Sequence, residues 1–128
     1  AFIFNPEKGT LSQIQTSDFL PDSFNDKPSG AQILTTPNGR FLYASERKSS
    51  TITLHSIDPA TGLLSKRASW PTEDCPRNFA IDPAGNHLIA AGEKSNRAAC
   101  YAINQSNGDL DLISTISTGT GPLWIEIL

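Results

Sequence analysis

Short apolar runs alternate with polar positions along this chain, and each run ends in a turn rich in Pro, Asn, Asp and Gly. Apolar residues two apart, bounded by such turns, predict β-strands with one face toward a core. Residues 32–35, 41–45, 51–57 and 64–70 fit this pattern, and so do 78–81, 87–91, 97–103 and 110–116. The first and second strands of each set are joined by TPNGR or DPAGN, the third and fourth by DPATG or NQSNG. In these turns Pro presets φ and Gly accepts a positive φ, which allows a tight reversal.

The two sets are one unit written twice. Ala31 to Pro76 aligns without a gap on Arg77 to Pro122, an offset of 46, with eleven identities that include Pro37/Pro83, Gly39/Gly85, Ala44/Ala90, Gly62/Gly108 and Pro76/Pro122. A period in the forties carrying four strands per repeat predicts β-propeller blades. The turn NPEKG, preceded by Phe2, Ile3 and Phe4 and followed by Leu11, predicts that residues 1–18 hold the last two strands of an earlier blade. Residues 31–75 and 76–121 are then complete blades, and PLWIEIL at 122–128 is the innermost strand of a further, closing blade. The expectation is a single partial propeller domain, all-β, with eleven strands. Residues 19–30, within the turn-rich stretch from Thr16 to Gly30, replace the short links seen elsewhere; they read as a solvated surface loop or as a flap over the propeller mouth.

Composition narrows the chemistry. A net charge of −3, with ten basic residues scattered among thirteen acidic ones, leaves no basic field for nucleic acid. No apolar run approaches the roughly 18 residues of a membrane span. Cys75 and Cys100 stand apart, with no paired Cys and no His at ligand spacing, so two free thiols are expected and no metal site. Met is absent even from position 1, which reads as a chain that was cut or processed. No nucleophile elbow and no phosphate-binding Gly loop is present.

The runs GRFLYASERKSSTITLHSID, PTEDCPRNFAIDPAGNHLIAAGEKS and GTGPLWIEIL, with LPDSFND in the long link, resemble the C-terminal third of the bacterial lactonase family of seven-bladed propellers. Its named activity is 6-phosphogluconolactonase, and the fungal carboxymuconate cyclases share the fold. The resemblance implies a ring of seven blades with a substrate site at the central channel. It implies a cytoplasmic enzyme of carbohydrate metabolism that opens a sugar lactone with no cofactor. The expected partners are a small anionic substrate and the remaining blades or a second copy of the chain. A non-catalytic binding propeller and a muconate-lactone cycloisomerase are the competing readings.

The candidate residues follow from blade position. Arg77 begins an innermost strand directly after Pro76, and a guanidinium there offers a fork of donors to a carboxylate, phosphate or lactone carbonyl. Glu46 and Arg47 close the second strand of the first complete blade. They are expected to activate water and to stabilise the oxyanion, respectively. Gln32 and Asn78, on the two innermost strands, are expected to bind substrate. Leu34 departs from the family, many members of which carry histidine there, and leucine can transfer no proton. His55 and His87 read as a packed strand residue and a surface residue; the repeated Lys48 and Lys94 read as solvating charges; Trp70 and Trp124 read as packed aromatics.

Overall fold

The computed structural model describes residues 1–127 and contains ten strands. A two-stranded ribbon, β1 (Phe2–Asn5) and β2 (Thr10–Gln13), opens the chain. Blade one is a four-stranded sheet of β3 (Gly30–Thr35), β4 (Phe41–Glu46), β5 (Thr51–Ile57) and β6 (Leu64–Pro71). Blade two repeats it with β7 (Pro76–Ile81), β8 (His87–Gly92), β9 (Arg97–Ile103) and β10 (Leu110–Ser117). Every neighbouring pair is antiparallel and each sheet keeps chain order, as a meander must when its connections are hairpins. The register of each innermost pair shifts at its entry, between Gly30 and Ile33 in one blade and between Pro76 and Asn78 in the other. The repeat therefore extends to backbone irregularities.

The core lies between the faces of the two blades. Phe41, Tyr43, Ile52 and Leu54 from blade one meet Phe79, Leu88, Ala90, Ala99 and Tyr101 from blade two. Two features lock the blades in register. The Tyr43 hydroxyl donates to the Gly108 carbonyl at 2.6 Å, and the Arg40 guanidinium donates to the carbonyls of Gln105 and Ser106. Gly108 adopts φ +83° against the Phe41 ring, where a Cβ would come within 2.7 Å of a ring carbon. Only glycine serves at that turn.

Leu128, the last residue of the expected eleventh strand, lies outside the described residues. Among those described no eleventh strand is formed: residues 122–127 run without a ladder partner within this chain. Their link to blade two is the Ile125 N–H donating to Asn78 Oδ1 at 2.8 Å. A strand is defined by its ladder, so alternating side chains alone did not make one.

The long link runs at the surface, with residues 22–23 and 25–28 exposed, but its first part is tied to blade one. Three successive carbonyls are gripped by side chains of the outer strands of blade one. His55 Nε2 meets Asp18 O at 2.8 Å, Thr53 Oγ1 donates to Phe19 O at 2.6 Å, and Lys66 Nζ donates to Leu20 O at 2.5 Å. The segment is a strap along β5 and β6.

Candidate active site

The innermost strands β3 and β7 and the terminal segment bound a cleft of about 330 Å³. Gln32, Leu34, Asn78, Trp124 and Glu126 line it. The repeat explains this set, because Gln32, Asn78 and Trp124 occupy equivalent positions at successive offsets of 46, as do Leu34, Ala80 and Glu126. Asn78 is 2% exposed and accepts from Ile125 through Oδ1. Glu126 accepts from the indole nitrogen of Trp124 at 3.1 Å. It is the one charged side chain lining the cleft among the described residues. Two amides, an indole and a carboxylate suit hydroxyl-rich, largely uncharged groups better than a phosphate.

A second cluster forms where the strands leave for the interblade links. Glu46, at the end of β4, is completely buried. Its Oε1 accepts the Ser29 N–H at 2.5 Å, and its Oε2 accepts the Ser49 N–H at 2.5 Å and the Ser49 hydroxyl at 2.8 Å. Burial pushes the carboxyl pKa up, but the donors of Ser49 and Ser29 outweigh it and hold it below its ordinary value. Arg47 follows, with both its backbone N–H and its Nε donating to the Ser29 carbonyl at 3.1 and 3.2 Å.

At the matching place in blade two Arg77 is half-exposed and pairs with Glu93 at 3.3 Å. The Cys75 thiol donates to the same Glu93 oxygen at 3.4 Å. Burial, then this contact with Glu93, pushes the thiol pKa up. Cys75 and Cys100 are both free. Among the described residues no three His, Cys, Asp or Glu side chains converge as metal ligands.

The expected site residues thus divide. Gln32 and Asn78 share the cleft, whereas Arg77, Glu46 and Arg47 stand at the strand ends and do not line it. The water-activating role expected of Glu46 does not suit its geometry, because both oxygens are filled by protein donors and the side chain meets no solvent. His55 is buried as a packed strand residue and His87 is exposed. Trp70 packs against the core, but Trp124 is 68% exposed in the cleft rather than packed. Glu126 was missed, although its signal is present: carrying the 46-residue offset one step past Ala80 lands on it.

The sequence pattern of the lactonase family, a 7-bladed beta-propeller, matches residues 1–127. The chain belongs to that family. It is 41% identical over 120 residues to the 6-phosphogluconolactonase of Pectobacterium carotovorum subsp. carotovorum strain PC1, covering 94% of this chain and 36% of that protein. The lactonase-family chain therefore spans about a third of the length of the curated relatives it matches. Its fold superposes on a Lactobacillus plantarum protein with a TM-score of 0.87 at 24% identity, over 94% of this chain and 35% of that one. The periplasmic gluconolactonase of Pseudomonas aeruginosa gives 0.84 at 25% identity, over 93% and 33%. The array is accordingly two blades, plus strands from a third, of a seven-bladed lactonase-type propeller.

Proposed function

We propose that the full-length protein hydrolyses a sugar lactone, with 6-phosphogluconolactone the first substrate to try. The observation that carries this reading is the cleft in which Gln32, Asn78 and Glu126 converge on the inner strands of a lactonase-family propeller. The two amides hold the hydroxyl-bearing ring. Glu126 takes a proton from water, and the oxygen attacks the lactone carbonyl carbon. Arg77 or Arg47, which do not line the cleft, would have to reach in from the strand ends to meet the charge on the carbonyl oxygen. Collapse breaks the ring C–O bond, the proton passes from Glu126 to the leaving oxygen, and a hydroxy acid departs. Basic groups for a phosphate would come from other blades, and no cofactor is called for. Its two free thiols fit a reducing compartment, and we assign it to the cytoplasm.

A non-catalytic ligand-binding propeller is the second reading, favoured by Leu34 and Ala80, which present no proton-transfer group to the cleft. The full-length protein with freshly generated 6-phosphogluconolactone, measured against spontaneous hydrolysis, decides between them. Turnover that falls by about 10²- to 10³-fold in Arg77→Ala, the scale of one lost oxyanion donor, supports the enzymatic reading. A rate equal to the spontaneous one rejects it for this substrate. Glu126→Gln should also bring the rate down toward the spontaneous one, whereas Lys94→Ala should leave it near that of the wild type.

A further inference from the structure

Glu46 and Arg47 are consecutive residues that hold Ser29 from both sides, one through the peptide before its Cα and the other through the peptide after it. Glu46 Oε1 holds the Ser29 N–H, and the Arg47 Nε and backbone N–H hold the Ser29 carbonyl. Ser29 directly precedes β3, whose Gln32 lines the cleft. The other Glu46 oxygen reaches across to Ser49, in the turn between β4 and β5. One buried carboxylate therefore joins the entry of an innermost strand to the turn beyond Arg47.

The fully exchanged alternative, a solvated glutamate beside a free arginine, would leave the guanidinium to sample many rotamers. Here its Nε is tethered to the carbonyl of Ser29, the residue whose N–H Glu46 holds, and no protein partner takes its terminal nitrogens among the described residues. That leaves a donor fork aimed by the fold. Blade two has no such device, because Gly92 and Glu93 stand in the places of Glu46 and Arg47.

We propose that Glu46 is a positioning residue: its buried carboxylate holds the Ser29 N–H, and the Ser29 so fixed presents its carbonyl to the Arg47 Nε, which keeps the guanidinium at the strand end ready to meet the developing oxyanion. This rests on the lactone-hydrolysis reading for its activity readout but not for its geometry. A misplacement of about 1 Å in such a donor costs on the order of 10²-fold in rate.

The test uses full-length wild type, Glu46→Gln, Arg47→Ala and the double variant, each first shown to melt cooperatively. Glu46→Gln should lower kcat by up to about 10²-fold with KM changed far less, and should leave the shape of the pH profile unchanged. Arg47→Ala should do the same, and the double variant should be no worse than either single one. Additive losses, wild-type turnover in a folded Glu46→Gln, or restoration of that variant by added formate would each overturn the proposal; the last would make Glu46 a direct base.

Hydrogen exchange separates this from failure of the lactone reading. If the wild type opens no lactone, the clamp still predicts faster exchange at the Ser29 amide and at Arg47 Nε–H in Glu46→Gln. Unchanged exchange at Arg47 would overturn it. Should Glu46→Gln not fold, Ser49→Ala removes one of the three donors to the carboxylate and must give the same pattern in smaller size; no change at Arg47 in that variant would equally overturn the proposal.

Discussion

Blades one and two share a backbone plan and solve the same corner differently. Where β4 ends, blade one places Glu46 and binds the loop backbone to its carboxylate. Where β8 ends, blade two has Gly92, and the Glu73–Asp74 link fills the space: a Cβ there would lie 2.6 Å from Glu73 Cβ and 2.9 Å from Asp74 O. The N–H of Cys75, the counterpart of Ser29, goes instead to the Ser50 hydroxyl at 3.2 Å. A buried charge and a missing side chain are thus interchangeable answers to one question, namely what satisfies the first peptide of an inner strand. The third strands agree more closely. His55 and Tyr101 are repeat equivalents, and each hydrogen-bonds back to the link preceding its own blade, at Asp18 and at Thr72.

Making blade two imitate blade one is the harshest trial of this comparison. Gly92→Glu would drive a charged side chain into atoms of Ser95, Glu73 and Asp74, and a buried charge left unpaired costs about 3–5 kcal/mol. Denaturant unfolding should show a loss of that order or failure to fold; a stability near wild type would mean that the corner is plastic.

The reverse change, Glu46→Ala, strips two backbone donors of their acceptor. At about 1–3 kcal/mol for each buried group left unsatisfied, a loss of roughly 3 kcal/mol is expected. It has a pH signature. Because the folded pKa of Glu46 lies below its unfolded value of about 4.3, its contribution is full above that value and disappears as pH falls through the folded pKa. The acid-side fall in stability of the wild type should therefore flatten in Glu46→Ala, and thermal melts between neutral and strongly acidic pH measure it.

Smaller effects separate the ties between blades. Tyr43→Phe removes a buried hydroxyl from the Gly108 carbonyl and should cost about 1 kcal/mol, more than Tyr101→Phe, whose partner is the hydroxyl of Thr72. Chemical denaturation of both variants ranks them, and equal losses would show that the interblade tie is no stronger than the link tie. Least of all, Lys48→Ala breaks an exposed pair with Asp26 and should change stability less than any of these, with the difference shrinking in high salt.

Much of the fold was legible because hairpins are local. The third strands were read to the residue at Thr51–Ile57 and Arg97–Ile103, and the positive φ of Gly39 and Gly85 stands where the turn motifs required it. What escaped depends on contacts distant in sequence. The run ERKSS looks like a wet charged turn until Ser29, seventeen residues earlier, is brought against Glu46. The strap is held through carbonyls of Asp18, Phe19 and Leu20, groups every residue owns and no side-chain pattern advertises. In the site, Gln32 and Asn78 were legible from strand position, whereas Glu126 required the repeat to be carried into a segment that forms no strand.

The opening ribbon is fastened to blade one by a counterfeit peptide. Gln15 lies past the end of β2, yet its side-chain amide donates to the Leu64 carbonyl at 2.8 Å and accepts the Leu64 N–H at 2.7 Å, as the main chain of a neighbouring strand would. Few side chains can forge that pairing, since it needs a donor and an acceptor held in one plane at the tip of a flexible stem. Glutamate at position 15 would match the acceptor and set oxygen against oxygen on the other side. A single neutral amide thus serves as the splice between two sheets, and the register of one is handed to the next without a continuous ladder.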